Sequence, residues 1–127
     1  KPIDVEPITL EELTFLQQMT RRIFLHDTLK AYIVDLINTT RGMGPNPLPG
    51  FSQHVRVGAS PRGGIALMRV SQAVALMQGR NYVMPEDIKK LRHPILRHRI
   101  IRTFDAMADD ISVDGLIDAV FSAVAVP

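Results

Sequence analysis

The chain has 127 residues, with 15 Lys and Arg against 13 Asp and Glu, a formal charge of +2, 46% hydrophobic residues and no cysteine. That length suits one domain burying about two-thirds of its unfolded surface, and the lack of cysteine excludes disulfides and thiolate chemistry, as fits a reducing compartment. No apolar stretch nears the roughly 20 residues that cross a bilayer and Lys1–Pro7 has no signal-peptide pattern, so the expectation is a soluble, cytoplasmic protein without membrane contact.

Helical periodicity dominates from the N-terminus. Thr9-Leu10-Glu11-Glu12 reads as a capping box, and Leu10, Leu13, Leu16, Met19 and Ile23 follow close to one face, predicting a first helix near 9–22. Asp27 is the expected cap of a second helix, in which Leu29, Tyr32, Ile33, Leu36 and Ile37 form a clean stripe that stops near Arg41-Gly42. Residues 42–50 concentrate proline and glycine and predict a loop, expected to be mobile. Ser60–Gly79 is apolar on nearly every side, which suits a central helix started by Ser60-Pro61 and ended by Gly79.

Pro85-Glu86-Asp87 opens a fourth helix, which Pro94 interrupts after about Arg92, and 95–100 reads as a short turn or helix. Ser112 caps a last helix with the stripe Val113, Leu116, Ile117, Val120, Phe121 and Val124. Short extended pieces at 55–57 and 81–83 could pair as one minimal β bridge. The fold expected is therefore all-α, a small bundle of about five helices. Charge is partitioned along it: Leu36–Pro85 holds five arginines and no acid, and Thr103–Pro127 five aspartates and no base, predicting one basic face and one acidic.

Motifs for catalysis are sparse. Gly-Lys never occurs, so no phosphate loop exists, and no apolar strand ends in an acidic pair for magnesium. His26, His54, His93 and His98 show no i, i+4 pair and have no cysteine companions, so no metal site is expected. Ser60 lacks the flanking glycines of a nucleophile elbow. The cations Lys89, Lys90, Arg92, Arg97, Arg99 and Arg102 could contact nucleic acid. The better reading is a solvated helix end, because no aromatic side chains are interleaved for base stacking.

One residue breaks a local rule. Arg62 falls in the first turn of the third helix, where a cation opposes the helix dipole by about 0.3–1 kcal/mol, with no acid between Asp35 and Glu86 to offset it. An anion is the natural complement. Gly63 and Gly64 would leave the first-turn amides open to a phosphate, although close packing against another helix explains them equally well.

The ordered set Gly58-Ala59-Ser60-Pro61-Arg62, Ala66-Leu67, Ala73-Val74-Ala75-Leu76, Gly79-Arg80-Asn81-Tyr82-Val83, Pro85-Glu86-Asp87-Ile88 and Leu96-Arg97-His98-Arg99 closely resembles the C-terminal lid of MoxR-type AAA+ ATPases. The likeness runs from about Pro7 to Pro127. It implies one lid domain over 1–127, with 1–8 as a linker from an ATPase core absent from this chain and 42–57 as a Pro/Gly-rich loop within it.

It further implies that Arg62 is the sensor 2 residue, acting catalytically only with that core. Arg62, Pro61 and Ala59 would be nucleotide-binding, the last two along the adenine side. Such a parent would use ATP with Mg2+, none of it tightly held by this fragment. It would assemble as a homo-oligomeric ring, expected to be a hexamer, and remodel partner proteins in a chaperone-like way, often beside a von Willebrand factor A domain protein. Gly63 replaces the family's usual alanine or other small residue, and Met84 replaces a capping Ser or Thr at an expected cost of about 0.5–2 kcal/mol. The other classes left open are a helical protein-interaction adaptor using the acidic last helix, and a DNA-binding helical module.

Overall fold

The computed structural model describes residues 2–127, so Lys1 of the expected linker lies outside the described residues. The chain forms α1 (Leu10–Arg21), α2 (Asp27–Thr40), a 3-10 turn at Phe51–Gln53, β1 (Val55–Val57) and α3 (Pro61–Met77). There follow α4 (Pro85–Lys90), α5 (Arg92–Leu96), a 3-10 turn at Arg97–Arg99, β2 (Ile101–Arg102), α6 (Phe104–Ala108) and α7 (Val113–Ala123). It is the expected all-α bundle, with more helical segments than the five anticipated.

Local chemistry sets most helix ends. At α1 the capping box closes: Glu12 N–H donates to Thr9 Oγ1 at 3.1 Å, and Thr9 N–H to Glu12 Oε1 at 3.4 Å. Thr103 caps α6 and Ser112 caps α7 through their hydroxyls, at 3.1 and 2.9 Å. The cap of α2 is His26 rather than Asp27, because His26 Nδ1 accepts the Thr28 N–H at 3.1 Å and Asp27 is already helical. After α3, Gly79 adopts φ +76 and Arg80 N–H returns to the Ala75 carbonyl oxygen at 2.9 Å, the left-handed exit that glycine permits. Pro94 is the third residue of α5, inside a first turn that needs no intrahelical N–H, so the break falls at Leu91 instead.

The expected bridge has a different partner. β1 pairs antiparallel with β2, and Tyr82 instead bridges Phe24. The reason is the length of α3: 17 residues rising ~1.5 Å each set its two ends about 25 Å apart, so 55–57 and 81–83 lie at opposite ends of it.

The core forms where α2, α3, α4, α5 and α7 meet. Leu36, Leu67, Ile88, Leu96, Ile117 and Val120 are completely buried, each contributing about 1.5–3 kcal/mol. The predicted stripes of α2 and α7 supply much of it. α3 is central but not enclosed, since Ile65 and Met77 on its outer side are exposed. α1 differs more: it has no buried residue, and Leu10, Leu13 and Leu16 of its predicted apolar face are exposed, while Met19 is half-buried and Ile23, beyond the helix, is buried.

Two contacts anchor the ends of α3. At its C-terminal side Arg80 forks onto Asp87, with Nη1 to Oδ2 at 2.8 Å and Nη2 to Oδ1 at 2.6 Å, while Met84 N–H also donates to Asp87 Oδ2 at 2.8 Å. This is the reciprocal half of a capping box; the Asp87 N–H, which a hydroxyl at 84 would accept, goes instead to the Met84 carbonyl oxygen at 3.0 Å. At the N-terminal side Gly58 crosses the end of α2 so closely that a Cβ there would stand 2.2 Å from the Thr40 carbonyl oxygen. Thr40 Oγ1 then accepts the Ala59 N–H at 3.0 Å and donates to the Ile37 carbonyl oxygen at 2.6 Å.

Burial alone would raise the Asp87 carboxyl, but the hydrogen bonds from Arg80 and from the Met84 N–H outweigh it and hold it below the usual carboxylate range. A depressed folded pKa gives stability that is present above the unfolded value and lost as pH falls through the folded one. Asp87→Asn is therefore expected to lower the thermal midpoint at pH 7, with the gap from the parent closing below about pH 4 in melts across pH. Gly58→Ala should cost more than about 2 kcal/mol because backbone must move, and Thr40→Val about 1–3 kcal/mol for the orphaned Ala59 N–H. Urea unfolding measures both, and an unchanged midpoint for Gly58→Ala would contradict the close crossing.

Candidate functional site

The site is built around the start of α3. Pro61 takes the first helical position and Arg62 the second. Ser60 stands at the cap with extended backbone, yet its hydroxyl accepts no first-turn amide, unlike those of Thr9, Thr103 and Ser112. The turn also lacks an acid, whereas α1, α2, α4, α6 and α7 each have one there. A positive helix end, an uncapped turn and an exposed guanidinium therefore coincide. Arg80, Arg92 and Arg97 each hold a carboxylate, and Arg62 holds none among the described residues.

The two glycines after Arg62 are accounted for by packing. A Cβ on Gly63 would stand 3.3 Å from Arg99 Cδ and 3.4 Å from both Ile37 Cδ1 and Leu96 Cδ2. One on Gly64 would stand 3.3 Å from Ile37 Cγ1 and 3.5 Å from Ile33 Cγ2. Of the two explanations open at the sequence level, close approach of α2 and α5 is the one the contacts supply.

The three expected site residues part company. Arg62 and Pro61 are exposed, and Pro61 borders an apolar groove of about 330 Å³ between α2 and α3, lined also by Ile33, Val34, Ile65 and Met68. Ala59 has no exposed surface. Its methyl group is enclosed by its own domain and its N–H is bound to Thr40, so its place is in holding the turn, not along a ligand cleft. Sequence reasoning missed Thr40, whose hydroxyl carries no motif, and Arg41, whose Nη1 reaches the Ala59 carbonyl oxygen at 3.4 Å.

The charge partition does not survive folding. Arg97 forks onto Asp114 at 2.8 and 2.9 Å, and Arg92 and His93 meet on Asp118 at 2.8 and 2.7 Å. The hydrogen bond from Arg97 holds the Asp114 carboxyl below its ordinary value, and those from Arg92 and His93 do the same for Asp118. Arg102 donates to the Ile111 carbonyl oxygen at 2.9 Å. Two of the six cations, Arg92 and Arg97, are thus paired with the acidic helix beside them, which interrupts both the cationic run a duplex would need and the acidic face an adaptor would use. His54 lies 3.3 Å from Asp109, and no group of three metal-ligating side chains occurs among the described residues.

The comparisons with known proteins bear on the family and the fold. Residues 51–120 match the family model of the AAA lid domain. The chain is 34% identical over 116 residues to the chaperone MoxR1 of Mycobacterium tuberculosis, covering 91% of this chain and 31% of that protein. It is 38% identical over 130 residues to the uncharacterised protein YeaC of Bacillus subtilis, covering 99% of this chain and 37% of that one. The chain thus spans about a third of the length of the curated relatives it matches. A crystal structure from Cytophaga hutchinsonii, of a protein described as a candidate ATPase, superposes with a TM-score of 0.82 at 34% identity, covering 87% of this chain and 33% of that one. The match over residues 51–120, on a helical bundle, makes the chain a member of the AAA lid domain family, similar over most of its length to proteins of the MoxR type.

Proposed function

We propose that this domain is the nucleotide-sensing lid of a MoxR-type AAA+ ATPase, and that Arg62 is its sensor 2 residue. The observation that carries the reading is the uncompensated guanidinium at the uncapped start of α3. In this reading ATP lies between the lid and an ATPase core supplied by the rest of the parent chain, with Arg62 reaching the γ-phosphate from the lid side. The phosphate fits: charge and fork geometry both favour it. Mg2+ would be held elsewhere, since no acid lies between Asp35 and Glu86 near this helix end.

The chain's own contribution is electrostatic. A guanidinium aimed at the terminal phosphate stabilises the charge that develops during transfer, and it loses its partner when that phosphate leaves. The lid is then free to rotate, which couples nucleotide state to shape. Such a parent acts as a homo-oligomeric ring, in the expected form a hexamer, that remodels client proteins as a cytoplasmic chaperone and works beside a von Willebrand factor A domain protein. MoxR1 of Mycobacterium tuberculosis, similar over most of this chain, is itself described as a chaperone. Pro61 borders the nucleotide on the same side, while Ala59 serves through its backbone.

The 127 residues alone should turn over no ATP in a phosphate-release assay. In the full-length protein Arg62→Ala is expected to lower kcat about a hundredfold or more, the usual loss when one transition-state donor is removed. Its thermal midpoint should not fall, because the side chain is exposed and has no carboxylate partner among the described residues. Undiminished turnover would reject the role assigned to Arg62.

A further inference from the structure

A second arginine reaches the same helix start. Arg99 leaves the turn after α5 and lays its stem across the first turn of α3: its Cδ lies 3.3 Å from where a Cβ on Gly63 would stand, and Gly63 directly follows Arg62. Its Nε donates to the Ile95 carbonyl oxygen at 3.1 Å, which fixes the guanidinium at its root. The forked end is left over. Arg92 and Arg97, its neighbours on the same stretch, are bound to Asp118 and Asp114, whereas Arg99 has no carboxylate partner among the described residues. Side-chain freedom is therefore already restricted, while the charge is not neutralised.

Two cations against one positive helix end repel each other and the helix dipole, and an anion relieves both effects at once. Glycine at 63 is what admits Arg99, because any side chain there would press on its stem. We propose that Arg99 is a second phosphate-binding guanidinium of this lid, acting with Arg62 on the same triphosphate. The inference rests on the reading that places a nucleotide at the start of α3. Two forks offer enough paired N–H donors for the oxygens of a terminal phosphate, so the pair should favour a triphosphate over a diphosphate. The competing account is structural only: a stem that covers the core and a head in solvent.

The test uses the full-length protein and fluorescent ATP and ADP analogues, with Arg99→Met, which keeps the apolar stem, Arg99→Lys, which keeps the charge, and Arg62→Ala. Arg99→Met should weaken ATP binding about tenfold or more while changing ADP binding much less, and Arg99→Lys, which keeps the charge without the fork, should recover only part of the loss. A purely structural residue would shift both nucleotides together. If Arg62→Ala weakens ATP selectively and Arg99→Met does not, the inference about Arg99 fails and the sensor reading stands; if neither does, both fail.

A second measurement needs no variant. Phenylglyoxal, which modifies guanidinium groups, is applied to the unaltered protein, with the rate at Arg99 followed by mass spectrometry. A non-hydrolysable ATP analogue should slow that rate and ADP should not. An equal rate at Arg99 with and without the ATP analogue would overturn the proposal, whether or not Arg99→Met folds.

Discussion

The start of α3 is held by close contacts onto bare backbone, where glycine leaves no room for a side chain. Gly58 passes the carboxyl end of α2 with no room for a Cβ, Ala59 hangs its N–H on Thr40, and Gly63 and Gly64 let Ile33, Ile37 and Leu96 close against the helix axis. Close packing of this kind is nearly incompressible, so the position of the first turn is set by atoms that cannot yield. β1 depends on it as well, because the segment 55–60 runs from the ladder with β2 directly into the cap. Arg62 stands at the edge of this clamp. Its backbone is immobilised from the inner side while its side chain is left to solvent.

Electrostatics follows the same division. Cations and acids that the chain keeps apart in sequence are brought together across α5 and α7, and at Arg80 with Asp87. Exposed pairs such as Arg97 with Asp114 add little stability, but they orient the last helix against the turn that carries Arg99. At the start of α3 no such pair occurs among the described residues. Charge is retained where, in the proposed reading, a phosphate arrives, and cancelled where the domain only needs to hold its shape.

The open face of α1 belongs to the same picture. A helix with a closed capping box and no buried residue is well formed locally and poorly covered globally. Its C-terminal half lies against α3, while the apolar side chains of its first turns stay open. A domain that spans about a third of its relatives has this much surface left over without being misfolded.

Much of the chain was legible because its signals are short in range. Capping boxes, the prolines at 61 and 85, the glycine at 79 and the stripes of α2 and α7 act within a turn or two, and they appear where the pattern put them. Arg62 was legible for the same reason, since a cation in a first helical turn violates a local rule that needs no coordinates. Even the wrong bridge partner could have been excluded by the length of α3. Other features depend on what lies across the interior. His26 displaces Asp27 as a cap, Ser60 leaves its helix uncapped, Ala59 is enclosed, the aspartates of α7 meet the arginines of α5, and Arg99 comes to rest on Gly63. Each of these joins residues far apart in the chain or turns on a side-chain orientation. Local propensity fixes neither, and only the packing of α2, α3 and α5 decided them.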